Sequence, residues 1–179
     1  MSRADLWAFP GKASRQVETT ICELSDGDLD AVTAIVGSFS FAESRHKEII
    51  ANLADEFTEL GINRVFFLAR FDGQPVGMVQ LILQHADNDP ELADGRNVAH
   101  AHSLWLKKHL HRRGLASDLM RHVERQAAER GFTTLTLGVE VDNVAAVGLY
   151  KKLEYLEFKR KQGRVPSEQL LLLRKRISR

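Results

Sequence analysis

The segment between residues 98 and 131 constrains the fold of this 179-residue chain more than any other. It opens with a strand pattern, Val98–Leu106 (VAHAHSLWL), and continues through a basic turn, HRRGLA, at residues 111–116. An apolar stripe at helical spacing then runs to Gly131, which is typical of a helix C-terminus. A strand that passes through a glycine turn into an amphipathic helix is a building unit of folds that mix both elements.

The rest of the chain alternates strand and helix patterns in the same manner. Strands are predicted at 17–24, 64–70, 75–84, 133–139, 155–161 and 168–174, and helices at 31–39, 44–60 and 143–153. The sequence therefore predicts an α/β fold with a mixed sheet, in one domain over residues 17–179 that follows an N-terminal arm of residues 1–16. Residues 85–97 are predicted to form a solvated acidic loop rather than a calcium site, because Leu92 stands where a calcium loop needs glycine. The alternative for this loop is that its acids attract a cationic substrate.

Composition bounds the functional classes. Hydrophobic residues make up 44% of the chain and the formal net charge is +1, so an electrostatic function has to come from a local patch. One cysteine, Cys22, permits no intramolecular disulfide and is predicted to be a buried strand residue. No apolar run is long enough for a membrane span and no signal peptide is recognisable, so we expect a cytoplasmic protein without membrane or nucleic-acid partners.

The turn HRRGLA has the features of an anion site. The first backbone N–H groups of a helix have no partner within it, and the helix dipole adds about half a positive charge there. Gly114 allows the backbone to approach a ligand closely, and Ala116 adds little bulk. The nearby cations are Lys107, Lys108, Arg112 and Arg113. This combination suits a pyrophosphate, while the alternative for this stretch alone is a capped helix on a basic surface.

Two motifs together point to a family. HRRGLASDLM resembles the [QR]-x-x-G-x-[GA] segment of the GNAT family of N-acetyltransferases, and NVAAVGLYKKLEY resembles the N-x-x-A-x-x-L-Y-x-x-x-G-F segment of the same family. Their order, with a helix and a strand between them, is more specific than either motif alone. The resemblance covers residue 17 to the C-terminus. It implies a mostly antiparallel sheet of about six or seven strands, with acetyl-CoA in a cleft between the strands of Leu104 and Leu137.

The resemblance implies a role for each matching residue. The cofactor-binding positions are the strand residues Leu104, Trp105 and Leu106 for the pantetheine arm, and His111, Arg112, Arg113, Gly114, Leu115, Ala116 and Ser117 for the pyrophosphate. Asn143 is implied to lie beside the cofactor and Tyr150 to point its hydroxyl at the sulfur, as general acid. The backbone N–H of Leu104 is expected to face the oxyanion. Periodicity alone instead favours Tyr150 as a core aromatic and Asn143 as a helix N-cap.

Two positions depart from the motifs. His111 occupies the [QR] position, where an imidazole is a less dependable hydrogen-bond donor to phosphate. Glu154 stands where the family usually has the glycine before the final aromatic residue, so the turn there is expected to differ. Ala116 in place of the second glycine is within the family pattern.

The sequence offers several candidates for the general base. Gly138 stands where some relatives of this kind carry a glutamate, so that base is missing. His100 matches a glutamate position of other members, and His102 shares its strand face, so His100 is the predicted base. The alternatives are His102, Glu140, water, or a structural role for both histidines. A metal site is not predicted, because the histidines of this region have no cysteine or acid at ligand spacing.

The sequence as a whole thus predicts an acetyl-CoA-dependent N-acetyltransferase that acts on a primary amine of a small molecule or a protein by direct attack. A non-catalytic module that binds or senses acyl-CoA is the rival of a different class. A third hypothesis is that the basic patch binds duplex or single-stranded nucleic acid, but no aromatic stacking platform accompanies the patch. The acceptor and the oligomeric state are left open, a homodimer included.

Overall fold

The computed structural model describes residues 19–39, 43–163 and 168–178, so the predicted arm at 1–16 and residues 17 and 18 lie outside the described residues. The strands are β1 (Thr19–Glu23), β2 (Arg64–Phe71), β3 (Gln74–Ile82), β4 (Val98–Leu106), β5 (Thr134–Glu140), β6 (Leu156–Gln162) and β7 (Gln169–Arg176). The helices are α1 (Leu29–Val36), α2 (Glu43–Phe57), α3 (Leu115–Glu129) and α4 (Val144–Lys152). These are the elements that the sequence patterns predict, with boundaries shifted by up to three residues.

The strands form a single seven-stranded sheet in the order β1-β2-β3-β4-β5-β7-β6. Only β4 and β5 are parallel, and the other five neighbouring pairs are antiparallel. The prediction of a mixed, mostly antiparallel sheet with flanking helices is therefore confirmed.

Alternating strand residues divide the core between the two faces of the sheet. On one face, Leu81, Leu119 and Leu137 belong to a cluster that packs the sheet against α3 and α4. On the other face, Phe66 and Leu68 belong to a cluster that includes residues of α1 and α2. Because strand side chains alternate between faces, the odd-numbered and even-numbered residues of β2 separate into these two clusters.

The hairpin of β2 and β3 turns through Asp72 and Gly73, whose φ angles are 51° and 76°. Positive φ at both central residues is the requirement of the two-residue turn that matches strand twist. Farther along, β4 carries a bulge. Gln80 pairs with His102 and Met78 pairs with Trp105, so β4 uses one more residue than β3 between these pairs. Ser103 in the bulge has a φ of 50°, and β4 consequently bends where it approaches the predicted cofactor position.

Two predictions about local environment were wrong. Residues 85–97 are not a freely solvated loop, because Ala86, Leu92 and Ala93 are buried against Ile82 and Leu172. Cys22 is exposed rather than buried, because β1 is an edge strand of the sheet. In both cases the residue's environment depends on where its element joins the sheet, which the local pattern does not specify.

Candidate active site

A cleft opens where the two parallel strands separate. The pairing of β4 with β5 runs from Val98↔Thr134 to Ala101↔Leu137 and then stops, although both strands continue. Beyond Ala101, the edge of β4 that faces β5 has no strand partner, so its backbone groups are open to a ligand. The cleft has a volume of about 530 Å³.

The cleft brings together five of the six predicted site residues that lie outside the turn at residues 111–117. His100, Leu104, Trp105, Asn143 and Tyr150 all line it, as do the alternative bases His102 and Glu140. Leu106 does not line it and is instead buried in the core beneath α3. Residues 111–117 also lie outside the lining, at the start of α3, whose Met120 does line the cleft. The start of α3 therefore adjoins the cleft rather than forming its wall.

The start of α3 has the geometry of an anion site. Gly114 is the N-cap with a φ of 88°, a left-handed conformation that favours glycine. The first hydrogen bond within the helix joins the Asp118 N–H to the Gly114 carbonyl at 3.0 Å. The N–H groups of Leu115, Ala116 and Ser117 therefore have no partner in the helix backbone and can bind a phosphate.

His111 has a role in this loop that the sequence did not suggest. Its Nε2 lies 2.8 Å from the carbonyl oxygen of Leu106 and, since a carbonyl only accepts, Nε2 carries the hydrogen and donates it. The imidazole thereby ties the loop to the end of β4, and in the neutral ring Nδ1 carries a lone pair and has no hydrogen to donate to a phosphate. Arg113 stacks over the ring of Phe71 at 5.9 Å, which orients its guanidinium beside the loop.

Asn143 and Tyr150 mark the two ends of one face of α4. The Asn143 side chain accepts a hydrogen bond from the Ala146 N–H at 3.1 Å, so Asn143 caps the helix and also lines the cleft. Tyr150 is 6% exposed, and no residue in the described ranges forms a hydrogen bond with its hydroxyl. Burial raises the pKa of Tyr150 to about 12, so the hydroxyl keeps its proton at physiological pH.

The turn after α4 has a geometry that favours glycine, although Glu154 occupies the position. The N–H of Tyr155 donates to the carbonyl of Tyr150 at 2.9 Å, and the N–H of Glu154 donates to that of Lys151 at 3.0 Å. This pair of bonds defines a Schellman motif, which places Glu154 at the position where glycine is preferred. The φ of Glu154 is 67°, a left-handed conformation that is costly for a residue with a side chain.

His100 is held in the floor of the cleft. Its Nδ1 lies 2.8 Å from the hydroxyl oxygen of Thr136, its cross-strand partner, and no described residue contacts its Nε2 by a hydrogen bond. Burial, followed by the neighbouring His102, lowers the pKa of His100 to about 3. His100 is therefore neutral at physiological pH, and the ordinary histidine pKa assumed from the sequence does not apply to it.

The alternative bases lie around His100. The His102 ring is 6.0 Å from the His100 ring, centroid to centroid. The Glu140 carboxyl has a raised pKa, first because it shares a hydrogen bond with Glu168 and then because it is partly buried. Two carboxyl groups this close cannot both ionise easily, so Glu140 is held closer to its protonated form.

The structure adds residues to the cleft that no motif indicates. Glu56 of α2 lines the cleft and accepts a hydrogen bond from the Gln80 amide at 2.7 Å, while the Arg64 guanidinium donates to the Gln80 side-chain oxygen at 3.0 Å. Asp87 of the acidic loop also lines the cleft and pairs with Lys161 at 3.0 Å. Neither acid has a distinctive signal in the sequence, because Glu56 lies in a helix with many charged residues and Asp87 is one of several acids in a polar loop.

Known proteins resemble this chain over the elements that surround the cleft. The model of the acetyltransferase (GNAT) family matches residues 30–155, which include β4, α3, β5 and α4. The chain belongs to the GNAT family. A curated relative, an uncharacterised N-acetyltransferase of Methanocaldococcus jannaschii, is 29% identical over 92 residues, which are 51% of this chain and 39% of the relative. The chain thus matches well under half of that relative's length.

Solved GNAT structures share the fold. The ribosomal-protein-S18-alanine N-acetyltransferase of Escherichia coli has a TM-score of 0.67 at 21% identity, with 90% of this chain and 96% of that chain covered. Ard1 of Thermoplasma volcanium has a TM-score of 0.69 at 19% identity, with coverages of 90% and 99%. The PaiA N-acetyltransferase of Thermoplasma acidophilum, solved with coenzyme A, has a TM-score of 0.65 at 15% identity, with coverages of 89% and 99%.

Two further observations concern the described residues of this GNAT chain. Within residues 19–39, 43–163 and 168–178, no group of three or more histidine, cysteine, aspartate or glutamate side chains is placed to hold a metal ion. Over the same ranges, none of the helices combines the length and the apolar character that a membrane crossing requires.

Proposed function

We propose that this protein transfers the acetyl group of acetyl-CoA to a primary amine, by direct attack of the amine on the thioester. The observation that carries the proposal is the separation of β4 from β5 beyond Ala101, which opens a cleft lined by Tyr150 and bordered by the start of α3. Membership of the GNAT family supports the reaction class.

The residues present fit acetyl-CoA at three points. The free N–H groups of Leu115, Ala116 and Ser117 bind the pyrophosphate, assisted by Arg112 and Arg113. The open edge of β4 at Leu104–Leu106 pairs with the pantetheine arm, which carries amide groups as a peptide strand does. Asn143 and Tyr150 then flank the thioester end of the cofactor.

The transfer step uses residues of β4 and α4. The amine nitrogen attacks the thioester carbonyl carbon, a C–N bond forms, and the C–S bond breaks. The Leu104 N–H donates to the carbonyl oxygen as it gains negative charge. The proton lost by the nitrogen passes to His100 or to water, and the thiolate receives a proton from the Tyr150 hydroxyl, which water later restores.

The raised pKa of Tyr150 suits a general acid, while the lowered pKa of His100 restricts which protons it can accept. A raised pKa of about 12 keeps Tyr150 protonated, and desolvation in the cleft also makes the thiolate a stronger base. A pKa of about 3 makes His100 too weak a base to deprotonate an ammonium ion. His100 accepts the proton only after the C–N bond begins to form, when the nitrogen has become much more acidic. The acceptor therefore has to react as its free base.

An amine screen tests the proposal. Acetyl-CoA is incubated with n-butylamine, spermidine, lysine and a peptide with an N-terminal alanine, and released thiol is measured with a chromogenic disulfide. The exposed Cys22 contributes a constant background, which Cys22→Ser removes. We expect thiol release that depends on at least one amine and yields an acetylated product by mass spectrometry.

Binding without turnover would favour the rival function. If acetyl-CoA raises the unfolding temperature but no amine in a broad panel accelerates thiol release, the chain is an acyl-CoA-binding module. If acetyl-CoA causes no stabilisation, the chain is neither an acetyltransferase nor an acyl-CoA-binding module. Binding of duplex or single-stranded DNA that weakens steeply with salt would instead support the nucleic-acid reading of the basic turn.

A further inference from the structure

Thr136 lies between His100 and the loop at residues 85–97, at a point that no sequence motif marks. It is 1% exposed and is one of the few buried polar residues among those described. Its hydroxyl oxygen is 2.8 Å from the His100 Nδ1, 2.7 Å from the Leu92 carbonyl oxygen and 3.3 Å from the Ala99 carbonyl oxygen. A single buried hydroxyl thus contacts one imidazole and two carbonyl groups.

These contacts decide which nitrogen of His100 carries the hydrogen. The Thr136 hydroxyl has one hydrogen, and carbonyl oxygens can only accept. If the hydroxyl donated to His100, its oxygen would face the Leu92 carbonyl oxygen at 2.7 Å without a hydrogen between them. The hydroxyl therefore donates to Leu92, and the Nδ1–H of His100 donates to the hydroxyl. The neutral ring then has its lone pair on Nε2, at the tip of the side chain.

We propose that Thr136 is a positioning residue, which fixes His100 as the Nδ1–H tautomer so that its Nε2 lone pair accepts a hydrogen bond from the acceptor amine. The inference rests on the proposed function, because it assigns the acceptor amine to the cleft that His100 lines. The opposite tautomer would direct an N–H group at the amine, and this group could donate only to the nitrogen lone pair that has to attack the thioester. The hydroxyl of Thr136 and the carbonyl of Leu92 together exclude that tautomer.

The charged and titratable surroundings of His100 are compatible with a neutral ring. His102 on the same strand, Arg64 on β2 and Lys161 on β6 disfavour a positive charge on it, and Asp87 of the loop favours one. Burial outweighs each of these neighbours, since it is the largest influence on the His100 pKa. The tautomer is therefore the property of His100 that Thr136 controls, rather than its charge.

Nitrogen-15 NMR of the imidazole side chains tests the positioning directly. Long-range proton–nitrogen correlations are recorded at neutral pH on the wild type, and the His100 signals among the seven histidines are identified by their loss in His100→Gln. We expect Nδ1 to resonate as a protonated nitrogen and Nε2 as an unprotonated one. Thr136→Ser, which keeps the hydroxyl, should preserve this pattern. Thr136→Val, which keeps the shape, should shift it toward the other tautomer or a mixture.

Kinetics with n-butylamine test the consequence for the acceptor. In Thr136→Val we expect kcat/KM for n-butylamine to fall at least tenfold and stabilisation by acetyl-CoA to persist, whereas Thr136→Ser should stay within about twofold of wild type. An Nε2–H tautomer in the wild type, or unchanged kcat/KM in Thr136→Val, would overturn the proposal. The tautomer measurement needs neither an acceptor nor a variant at position 136, so it is independent of the proposed function and of any folding defect.

Discussion

Ala101 of β4 and Leu137 of β5 form the last pair between the two parallel strands of the sheet. Since the strands are parallel, their carboxyl ends reach the same edge of the sheet, and the helices that follow them both start there. α3 follows β4 and α4 follows β5, so the free N–H groups of α3 and the Asn143 cap of α4 lie beside the same cleft.

Gly114→Asp should abolish the stabilisation of the protein by acetyl-CoA. The added carboxylate places negative charge at the N–H groups that would bind the pyrophosphate, and wild type should gain about 2.7 kcal/mol at a hundredfold excess of ligand over its dissociation constant. Thermal unfolding with and without acetyl-CoA measures the difference. Gly131→Asp is the matched control, because Gly131 also has positive φ, at 95°, but lies at the other end of α3. An undiminished shift in Gly114→Asp would place the phosphate site elsewhere.

Tyr150→Phe should lower kcat by about a hundredfold or more, with little change in acetyl-CoA affinity. Its hydroxyl has no hydrogen-bond partner among the described residues, so the free energy of unfolding should hardly change. Steady-state kinetics and urea denaturation measure the two effects. Tyr155→Phe is the control, since Tyr155 is also buried and packs edge-to-face on Tyr150 at 5.9 Å but does not line the cleft. A kcat within about twofold of wild type would make Tyr150 a core residue only.

His100→Gln should change how stability depends on pH. The folded-state pKa of about 3 is below the ordinary value of 6.5, so between these pH values the unfolded chain binds a proton that the folded chain does not. His100 thus makes the wild type lose stability as pH falls below 6.5, by at most about 1.4 kcal/mol per pH unit. Urea denaturation between about pH 7 and pH 5 should show a shallower loss in His100→Gln.

The lowered pKa of His100 also changes the expected dependence of kcat/KM on pH. Because His100 stays neutral down to acidic pH, it should produce no limb near pH 6.5 in kcat/KM, whereas ionisation of an alkylamine acceptor should produce one near pH 10. His100→Gln should lower the rate without removing the limb of the acceptor. His102→Gln is the control on the same strand face. Loss of an existing limb near pH 6.5 in His100→Gln alone would contradict the lowered pKa.

Glu154→Gly should stabilise the protein by about 1 kcal/mol. It relieves the cost of a left-handed conformation in a residue with a side chain, and the greater flexibility of glycine in the unfolded chain offsets part of that gain. Lys151→Gly, within α4, should instead destabilise by a similar amount, because glycine there interrupts a helix. Thermal and urea unfolding of both variants would check the contrast, and destabilisation by both would show that Glu154 makes a contact worth more than its strain.

The sequence by itself determined the elements of this fold and the order of its motifs. The stripe from Leu115 to Ala127 predicts α3 because helical periodicity is a local property, and the alternation of TTLTLGV predicts β5 for the same reason. Gly114 and Asn143 were predictable because each occupies a helix N-terminus, where backbone geometry or unpaired N–H groups favour a few residue types. Residue chemistry that follows from the local backbone can therefore be read directly from the chain.

Tertiary structure decided what depends on residues distant in sequence. Burial in the sheet lowers the pKa of His100. Its tautomer is set by Thr136, which is 36 positions away in the sequence, and by Leu92, which lies in the loop at residues 85–97. His111 donates to Leu106 rather than leaving both nitrogens to a phosphate, and Glu56 enters the cleft only because α2 packs over Gln80. Ionisation, tautomer and hydrogen-bond partner depend on which groups surround a side chain and on how much water reaches it. The packing of the sheet and its helices determines the surrounding groups and the access of water, and a local sequence pattern specifies neither.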